Sequence, residues 1–321
     1  MAAYCKLNRD RQGAASFSTS LLTRRQLVTG LLAIARPDGI LVDTHVHLFA
    51  SDQKRFPYHP GATYKPTAQT LEDYLKFAAA RKIDHTVIVH PEPYQDDHSY
   101  LEYCFANEPS SEFFKGTCLF DPVAPETPAR MEALVKKNSN RIVALRIHQM
   151  RKPGAPATTS GAIKDRDMTS PAMKTTWKKA LDLGLAIQMH FVPFYAPQIG
   201  ALAAQFPEVP VVLDHLARAG QGTPAEWKGV LQLAKHPHVY MKYSGVNYSA
   251  KEKFPFRDAK PIVKQAYEAF GPDRIVWGGL GNNETEFEKQ VELFNVMWDF
   301  VTADVRAKIR GGNALRLYRF S

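Results

Sequence analysis

The chain of 321 residues has few cysteines and lacks the sequence signatures of several large protein classes. Its three cysteines form no Cys-x-x-Cys pair and match no zinc-finger spacing, so we interpret Cys104 and Cys118 as buried thiols. No run of about 18 uninterrupted apolar residues is present, which excludes a multi-pass membrane protein. A doubly wound nucleotide-binding sheet is disfavoured because no Gly-x-Gly-x-x-Gly or Walker sequence is present.

Charge and composition are those of an ordinary globular protein. The chain is 45% hydrophobic and 23% charged, with a formal net charge of +9. Part of the basic surplus lies in residues 1–35, in which Asp10 is the single acidic residue. Long Lys/Arg runs and basic helices with interleaved aromatics are missing, so we expect no nucleic-acid partner. Mild basicity fits a small anionic substrate better.

Residues 1–37 are predicted to be a leader that precedes a folded domain at 38–321. Arg24 and Arg25 stand before a short apolar run that ends in an Ala-x-Ala cleavage pattern, which resembles a twin-arginine export signal. An organellar transit segment has similar composition, and a frayed cytoplasmic terminus is the third interpretation. The protein is expected to be periplasmic or exported if the signal is real, and cytoplasmic otherwise.

Eight short apolar segments alternate with mostly helical patterns along the rest of the chain. Helix starts are marked by Thr70 with Asp73 and by Thr223 with Glu226, each pair having capping-box spacing. This alternation predicts an α/β fold, a single (β/α)8 TIM barrel. The predicted strands are residues 40–43, 84–90, 116–120, 142–148, 185–190, 211–215, 239–243 and 274–278.

A long segment without periodicity follows the fourth predicted strand. Residues 151–171 are rich in Pro, Gly, Thr and Ser. Because loops after barrel strands lie at the face where barrel active sites form, this segment is either a substrate-contacting lid or a disordered insertion.

Histidines lie at the carboxyl ends of several predicted strands. His45 and His47 follow the first strand, His190 closes the fifth and His215 closes the sixth. Residues i and i+2 of an extended strand point to the same side, so His45 and His47 can face one point in the barrel mouth. Converging neutral imidazoles suit a divalent metal such as zinc, and protonated ones suit an anion. A lone histidine at a strand end is usually structural, but four equivalent ones predict a shared site.

Two arginines are candidate substrate contacts. Arg146 lies two residues before His148 in the fourth strand, and Arg218 follows His215 by three residues. An inward arginine in a barrel mouth normally binds a carboxylate or phosphate, and a salt bridge at the rim is the alternative. His148 and Tyr94 complete the predicted substrate-binding residues.

Four segments carry a family resemblance: Asp43-Thr44-His45-Val46-His47, Met189-His190, Asp214-His215-Leu216-Ala217-Arg218 and Asp273-Arg274-Ile275-Val276-Trp277-Gly278. Their order resembles the amidohydrolase-related (amidohydrolase 2) family over roughly residues 38–320, and within it the lactonase-like branch, which includes 2-pyrone-4,6-dicarboxylate lactonase and sugar-lactone hydrolases. The resemblance implies a TIM barrel of the metal-dependent-hydrolase type that hydrolyses a C–O or C–N bond in a small molecule.

The resemblance also implies roles for individual residues. His45, His47, His190 and His215 would be the site histidines, and Arg146 with Arg218 would contact the substrate anion. Some members of the family use one zinc-like metal, for which His45, His47 and His190 would be the ligands. Some lactonases of the family work without a metal, and other members are decarboxylases.

The sequence departs from the family pattern Trp-Gly-Ser-Asp after the last strand. The Asp of that pattern activates water and then protonates the leaving group, but Leu280 stands in its place here. Losing a positioned general base typically costs about 10²–10⁴-fold in rate. Glu284 is one replacement, provided that the glycine-rich loop turns back. The other outcomes are a different base (Asp43, Asp214 or a neutral histidine) and binding without catalysis.

We therefore predict a hydrolase of a small carboxylated lactone or related ester or amide. Water attacks a carbonyl that the histidine cluster polarises directly or through a metal, while the arginines hold the carboxylate. The alternatives are a decarboxylase of the same superfamily and, because of Leu280, a catalytically silent small-molecule binder.

Overall fold

The computed structural model describes residues 39–155 and 166–320. The predicted leader and the centre of the predicted loop lie outside these ranges. The strands are β1 Val42–Val46, β2 His85–Val89, β3 Phe114–Leu119, β4 Ile142–Gln149, β5 Ala186–Phe191, β6 Val211–Leu213, β7 Val239–Tyr243 and β8 Ile275–Trp277. The α-helices are α1 Leu71–Arg81, α2 Ser99–Ala106, α3 Thr127–Lys137, α4 Pro171–Asp182, α5 Ala196–Gln205, α6 Pro224–Gln232, α7 Lys260–Phe270, α8 Glu284–Met297, α9 Ala303–Ala307 and α10 Asn313–Tyr318.

The strands form one parallel sheet in the order β1 to β8, nearly closed into a barrel. At the seam, the Thr44 hydroxyl donates a hydrogen bond to the carbonyl of Trp277 at 2.8 Å. Gly278 permits this closure because a Cβ at that position would lie 2.6 Å from Thr44 Oγ1. The predicted (β/α)8 barrel is confirmed.

Local capping signals fix where the outer helices begin. Thr70 accepts a hydrogen bond from the backbone of Asp73 at the start of α1. Thr223 and Glu226 form the reciprocal capping box at the start of α6, as their spacing predicts. Helices placed in this way cover the outside of the sheet, so the chemistry of the barrel is restricted to its two ends.

The first strand begins two residues later and ends three residues later than predicted. It spans Val42–Val46 rather than residues 40–43, so that His45 belongs to the strand and His47 follows it. The prediction ended the strand where polar residues begin. These polar residues are nevertheless buried, because Asp43 and Thr44 find hydrogen-bond partners inside the barrel.

The interior of the barrel is apolar along most of the sheet and polar near the carboxyl ends of the strands. Gln188 of β5, Lys242 of β7 and Asp214 after β6 are all fully buried. Cys104 and Cys118 are free, buried thiols, as expected. Within the described residues, every helix is too short or too polar to cross a membrane.

Candidate active site

Five imidazole rings form a continuous row across the carboxyl ends of β1, β4, β5 and β6. Ring centroids are 4.9 Å apart for His47 and His45, and 4.5 Å apart for His45 and His215. The row continues from His215 to His190 at 5.2 Å and from His190 to His148 at 4.9 Å. The structure thus brings together the four predicted site histidines and adds His148 to them.

The hydrogen bonds of His47 define where its proton lies. Its Nδ1 donates to the carbonyl of Val89 at 2.7 Å, so its Nε2 keeps a lone pair. That Nε2 lies 3.3 Å from Nε2 of His45. Burial, and then the Arg146 charge, lower the pKa of His47 to about 4. Burial likewise lowers the pKa of His215 to about 3, so both rings are neutral at neutral pH.

Asp214 is the buried anchor beneath the histidine row. Its Oδ2 accepts from Arg146 Nε and from Gln188 Nε2, each at 3.1 Å, and its Oδ1 lies 3.1 Å from Lys242 Nζ. Burial raises the pKa of Asp214, but Lys242 and Arg146 outweigh it and hold the pKa well below the usual range. Lys242 also donates to the carbonyl of Thr44 at 3.0 Å, which ties β7 to β1.

Asp43 has a structural task. Its Oδ1 accepts from the backbone N–H groups of His45 and Gly279, each at 2.9 Å, and its Oδ2 accepts from Leu280 N–H at 3.3 Å. Burial raises the pKa of Asp43 even though these backbone donors lower it. The carboxylate therefore fixes the loop after β8 against β1, and the buried Leu280 side chain offers no group for proton transfer.

A second buried carboxylate, Glu92, stands beside His148 at one end of the histidine row. Glu92 Oε1 lies 2.7 Å from His148 Nδ1, and both side chains are almost fully buried. Nδ1 of His148 also lies 3.4 Å from Nδ1 of His190, whose Nε2 accepts from Arg218 Nε at 3.1 Å. The sequence analysis missed Glu92, although it stands just after β2 at the edge where the histidines gather.

A strained turn after β6 presents His215 and Arg218 to the mouth. Residues 215–218 all have positive φ, between 49° and 55°. The left-handed conformation costs non-glycine residues about 1–2 kcal/mol each, and such strain is typical of functional sites. In this turn the Arg218 guanidinium lies 3.8 Å above the Tyr248 ring. The entrance also includes Tyr64, whose pKa is raised to about 12 by burial and by Glu92.

Two predicted site residues lie elsewhere. Glu284 is 64% exposed and pairs with Arg81 in the first turn of α8, because the Asn283 side chain caps that helix. The prediction that Glu284 replaces the missing carboxylate is therefore wrong in this structure. Tyr94 is buried, and its hydroxyl accepts from the backbone of Ala50 at 2.8 Å, so it packs the loop after β1 and has no free face for substrate.

The metal donors that the sequence predicts are only partly in place. His190 is not available as a metal ligand at Nε2, because that nitrogen accepts a hydrogen bond from Arg218. His45, Asp214 and His215 do bring ligand atoms within 4.8 Å of one another. However, both oxygens of Asp214 already face fixed cations, and a divalent ion there would lie against the Lys242 ammonium. This donor set does not fit a resident divalent metal, so we derive no step through one.

The fold and this row of histidines define the class, a TIM barrel with buried polar residues gathered at the carboxyl ends of its strands. Residues 42–320 match the family described as Amidohydrolase, and the chain belongs to that family. This match confirms the resemblance to the amidohydrolase-related family that the sequence motifs indicated.

Two relatives of this chain are named as enzymes that hydrolyse lactones. The chain is 24% identical over 296 residues to 4-sulfomuconolactone hydrolase of Hydrogenophaga intermedia, covering 86% of this chain and 88% of the relative. It is 24% identical over 292 residues to L-fucono-1,5-lactonase of Burkholderia ambifaria, covering 87% and 95%. These relatives support a hydrolase of the lactonase type.

A solved structure with the same fold is a probable 2-pyrone-4,6-dicarboxylic acid hydrolase from Acinetobacter baumannii with citric acid bound. It superposes with a TM-score of 0.70 at 17% identity, covering 87% of this chain and 99% of that one. At this identity the likeness shows the shared fold.

Proposed function

We propose that this protein hydrolyses a small lactone that carries a carboxylate. The observation that carries the proposal is the placement of Arg146 and Arg218 along the row of neutral imidazoles. Among the described residues, Arg146 donates from its Nε to Asp214, and its two terminal nitrogens remain as a forked donor. Guanidinium forks match carboxylates in shape, so the substrate acid is held beside the reacting carbonyl.

The reaction follows from the charges around the carbonyl. Water forms a C–O bond at the carbonyl carbon, and negative charge develops on the carbonyl oxygen. Imidazole groups of the histidine row polarise the carbonyl and stabilise this charge, while Arg146 and Arg218 hold the substrate carboxylate; the burial of these side chains keeps water largely out of the site. Collapse of the intermediate then breaks the ring C–O bond and releases a hydroxy acid.

The base in this proposal is a neutral imidazole of the row. Glu284 is exposed, Asp43 is bound by three backbone N–H groups, and Asp214 is bound by Arg146, Lys242 and Gln188. The burial that lowers the pKa of His47 and His215 keeps those rings in the unprotonated form that can accept a proton.

The test is a comparison of lactones with and without an acidic group, using 4-sulfomuconolactone, L-fucono-1,5-lactone and 2-pyrone-4,6-dicarboxylate. We expect the Arg218→Ala variant to raise KM about tenfold or more for acidic lactones, since a hydrogen bond to a charged group contributes about 1.5–3 kcal/mol. Arg130→Ala, at a surface pair with Asp96, is the control. Equal losses on neutral and acidic lactones would contradict the proposed carboxylate contact.

The same measurements separate the two alternatives. Release of CO₂ from a carboxylated substrate without ring opening would identify a decarboxylase. Saturable binding without acid or CO₂ release would identify a silent binder, and either result would overturn the proposal.

A further inference from the structure

Two polar atoms at the His148 end of the histidine row are buried without a hydrogen-bond partner. Glu92 Oε1 and His148 Nε2 each have none among the described residues. Both side chains are at most 4% exposed, so water does not freely reach either atom. Burying a polar atom without a partner is costly, and at the mouth of a barrel such atoms are normally kept for a ligand.

The hydrogen bonds of the neighbouring ring determine the tautomer of His148. Arg218 Nε donates to His190 Nε2 at 3.1 Å, so the proton of neutral His190 resides on Nδ1. That Nδ1 donates to His148 Nδ1 at 3.4 Å, which places the proton of His148 on Nε2. His148 Nδ1 has no proton to give, so its 2.7 Å approach to Glu92 Oε1 is not a hydrogen bond. The two residues therefore present one open donor, His148 Nε2, and one open acceptor, Glu92 Oε1.

The surrounding groups fix the charges of these two side chains. Burial raises the pKa of Glu92, but the neighbouring charged and polar groups, Arg146 among them, lower it below the ordinary value, so the carboxylate is ionised at neutral pH. Burial and then the Arg146 charge lower the pKa of His148, so its ring is neutral. An ionised carboxylate accepts hydrogen bonds and cannot donate one, so the division into one donor and one acceptor holds at neutral pH.

A hydroxyl is the group that satisfies both atoms. It has one proton, which Glu92 Oε1 can accept, and lone pairs that can accept the proton on His148 Nε2. One oxygen can bond to two atoms up to about 5.6 Å apart. Nε2 and Oε1 fall within this span, because Oε1 lies 2.7 Å from the other nitrogen of the same ring. A carbonyl or a second carboxylate only accepts, and an ammonium only donates, so each would leave one atom without a partner.

The two open atoms lie beside the proposed carboxylate contact. His148 follows Arg146 by two positions on β4, so the two side chains point to the same side of the strand. The Arg146 charge also acts on Glu92, which places the guanidinium and the carboxylate in one part of the mouth. A ligand whose acid group is held by Arg146 therefore brings its neighbouring carbon atoms towards His148 and Glu92.

We propose that Glu92 and His148 form a hydroxyl-binding subsite, so that the substrate is a lactone that carries a hydroxyl group as well as a carboxylate. His148 Nε2 donates to the hydroxyl oxygen, and Glu92 Oε1 accepts the hydroxyl proton. Both residues determine specificity by contacting the substrate and take no part in the proton transfers of hydrolysis. This inference rests on the proposed lactone hydrolysis and narrows its substrate class.

The experiment measures dissociation constants by calorimetry for three lactams, which mimic the lactones and resist ring opening. γ-Carboxy-γ-butyrolactam carries the acid alone, its α,β-dihydroxy counterpart adds hydroxyls, and its β-carboxy counterpart adds a second acid; all stereoisomers of each are tested. The wild type should bind the best dihydroxy isomer about tenfold or more tightly than the acid alone, as expected for a hydrogen bond to a charged group. It should bind the β-carboxy lactam more weakly than the acid alone, because Glu92 repels a second carboxylate.

Variants at Glu92 should move these affinities in opposite directions. In Glu92→Ala the preference for the dihydroxy lactam should fall to within about threefold, because the acceptor is gone. In Glu92→Gln the β-carboxy lactam should bind several-fold more tightly than it does to the wild type, because the like charge is removed. The control Glu132→Gln, at a surface pair with Lys179, should match the wild type. A merely structural glutamate would weaken all three lactams alike.

The outcomes separate the subsite from the proposed function. Equal wild-type affinity for the dihydroxy lactam and the acid alone would overturn the subsite, as would an unchanged preference in Glu92→Ala. Either result leaves lactone hydrolysis standing. If Glu92→Ala does not fold, the wild-type preference and the affinities of Glu92→Gln decide. The corresponding lactones test hydrolysis itself, and failure of the wild type to open any of them would overturn the proposed function whatever the lactams show.

Discussion

Two buried carboxylates of the barrel mouth, Asp214 beneath the histidine row and Glu92 at its His148 end, differ in how completely they are bound. We call Asp214 with Arg146, Lys242 and Gln188 the Asp214 group, and Glu92 with His148 the Glu92 group. In the Asp214 group both carboxylate oxygens have fixed partners at 3.1 Å. In the Glu92 group one carboxylate faces one imidazole, and the far nitrogen of that imidazole has no partner among the described residues.

This difference separates a structural role, which belongs to the Asp214 group, from a chemical role, which belongs to the Glu92 group. The Asp214 group links β4, β5, β6 and β7 through buried charges, and Lys242 extends the link to β1. Lys242 and Arg146 hold the pKa of Asp214 well below its usual range, so this carboxylate is a poor proton acceptor and the group serves the shape of the mouth. In the Glu92 group, Glu92 Oε1 and His148 Nε2 have no hydrogen-bond partner among the described residues, so this half keeps buried polar atoms that a ligand can bind.

The largest effect on stability is expected from Asp214→Asn. The substitution leaves Arg146 and Lys242 as buried charges without a counter-charge, and breaking a buried ion pair costs about 3–5 kcal/mol. Urea unfolding should show this loss, and the double variant Asp214→Asn with Lys242→Met should recover part of it. A single variant as stable as the wild type would show that the Asp214 group has no supporting role.

A loss of stability is also expected in acid, because the buried imidazoles resist protonation. The pKa of His47 is about 4 and that of His215 about 3 in the folded chain, against 6.5 as the ordinary value, so the unfolded chain binds more protons in between. Stability is therefore fully present above about pH 6.5. It should fall by at most about 1.4 kcal/mol per pH unit for each ring as the pH drops towards 4.

Urea unfolding at pH 7.5 and at pH 5 measures this loss. The pH dependence should shrink in His47→Gln, which removes one of the rings. An unchanged dependence in that variant would show that His47 is not buried in a neutral state.

Removal of metal should have little effect. Because Lys242 and Arg146 already compensate Asp214, prolonged dialysis against a chelator is expected to leave lactone turnover within about twofold of its starting value. Loss of turnover that zinc restores would show that His45, Asp214 and His215 hold a catalytic ion and that the Asp214 group is not merely supporting.

The smallest effect is expected from Glu284→Gln. The side chain is exposed, and a surface ion pair such as the one to Arg81 contributes about 0–1 kcal/mol. Turnover and unfolding free energy should both match the wild type. A large loss of turnover would return Glu284 to the site.

The sequence predicts the barrel well because strand and helix periods alternate and caps mark the helix starts. It also predicts that His45, His190 and His215 converge, since the carboxyl ends of parallel strands share one face of a barrel. Lys242 could have been found from the alternation within β7, where Met241 and Tyr243 are its apolar neighbours.

Other parts of the site depend on contacts that no local pattern encodes. Glu92 stands in a short turn after β2, and only the neighbouring β4 shows that it faces His148. The glycine-rich loop after β8 suggested a return of Glu284 to the mouth, but the Asn283 cap turns the chain into α8 first. Loop conformation and long-range pairing therefore decided the assignments that sequence reasoning missed.

Acid release from 4-sulfomuconolactone, L-fucono-1,5-lactone and 2-pyrone-4,6-dicarboxylate, followed at constant pH with purified protein, tests the central claim most directly. We predict ring opening of at least one acidic lactone well above the uncatalysed rate. Acid release from none of them above that background would contradict the assignment of this barrel mouth as a hydrolytic centre.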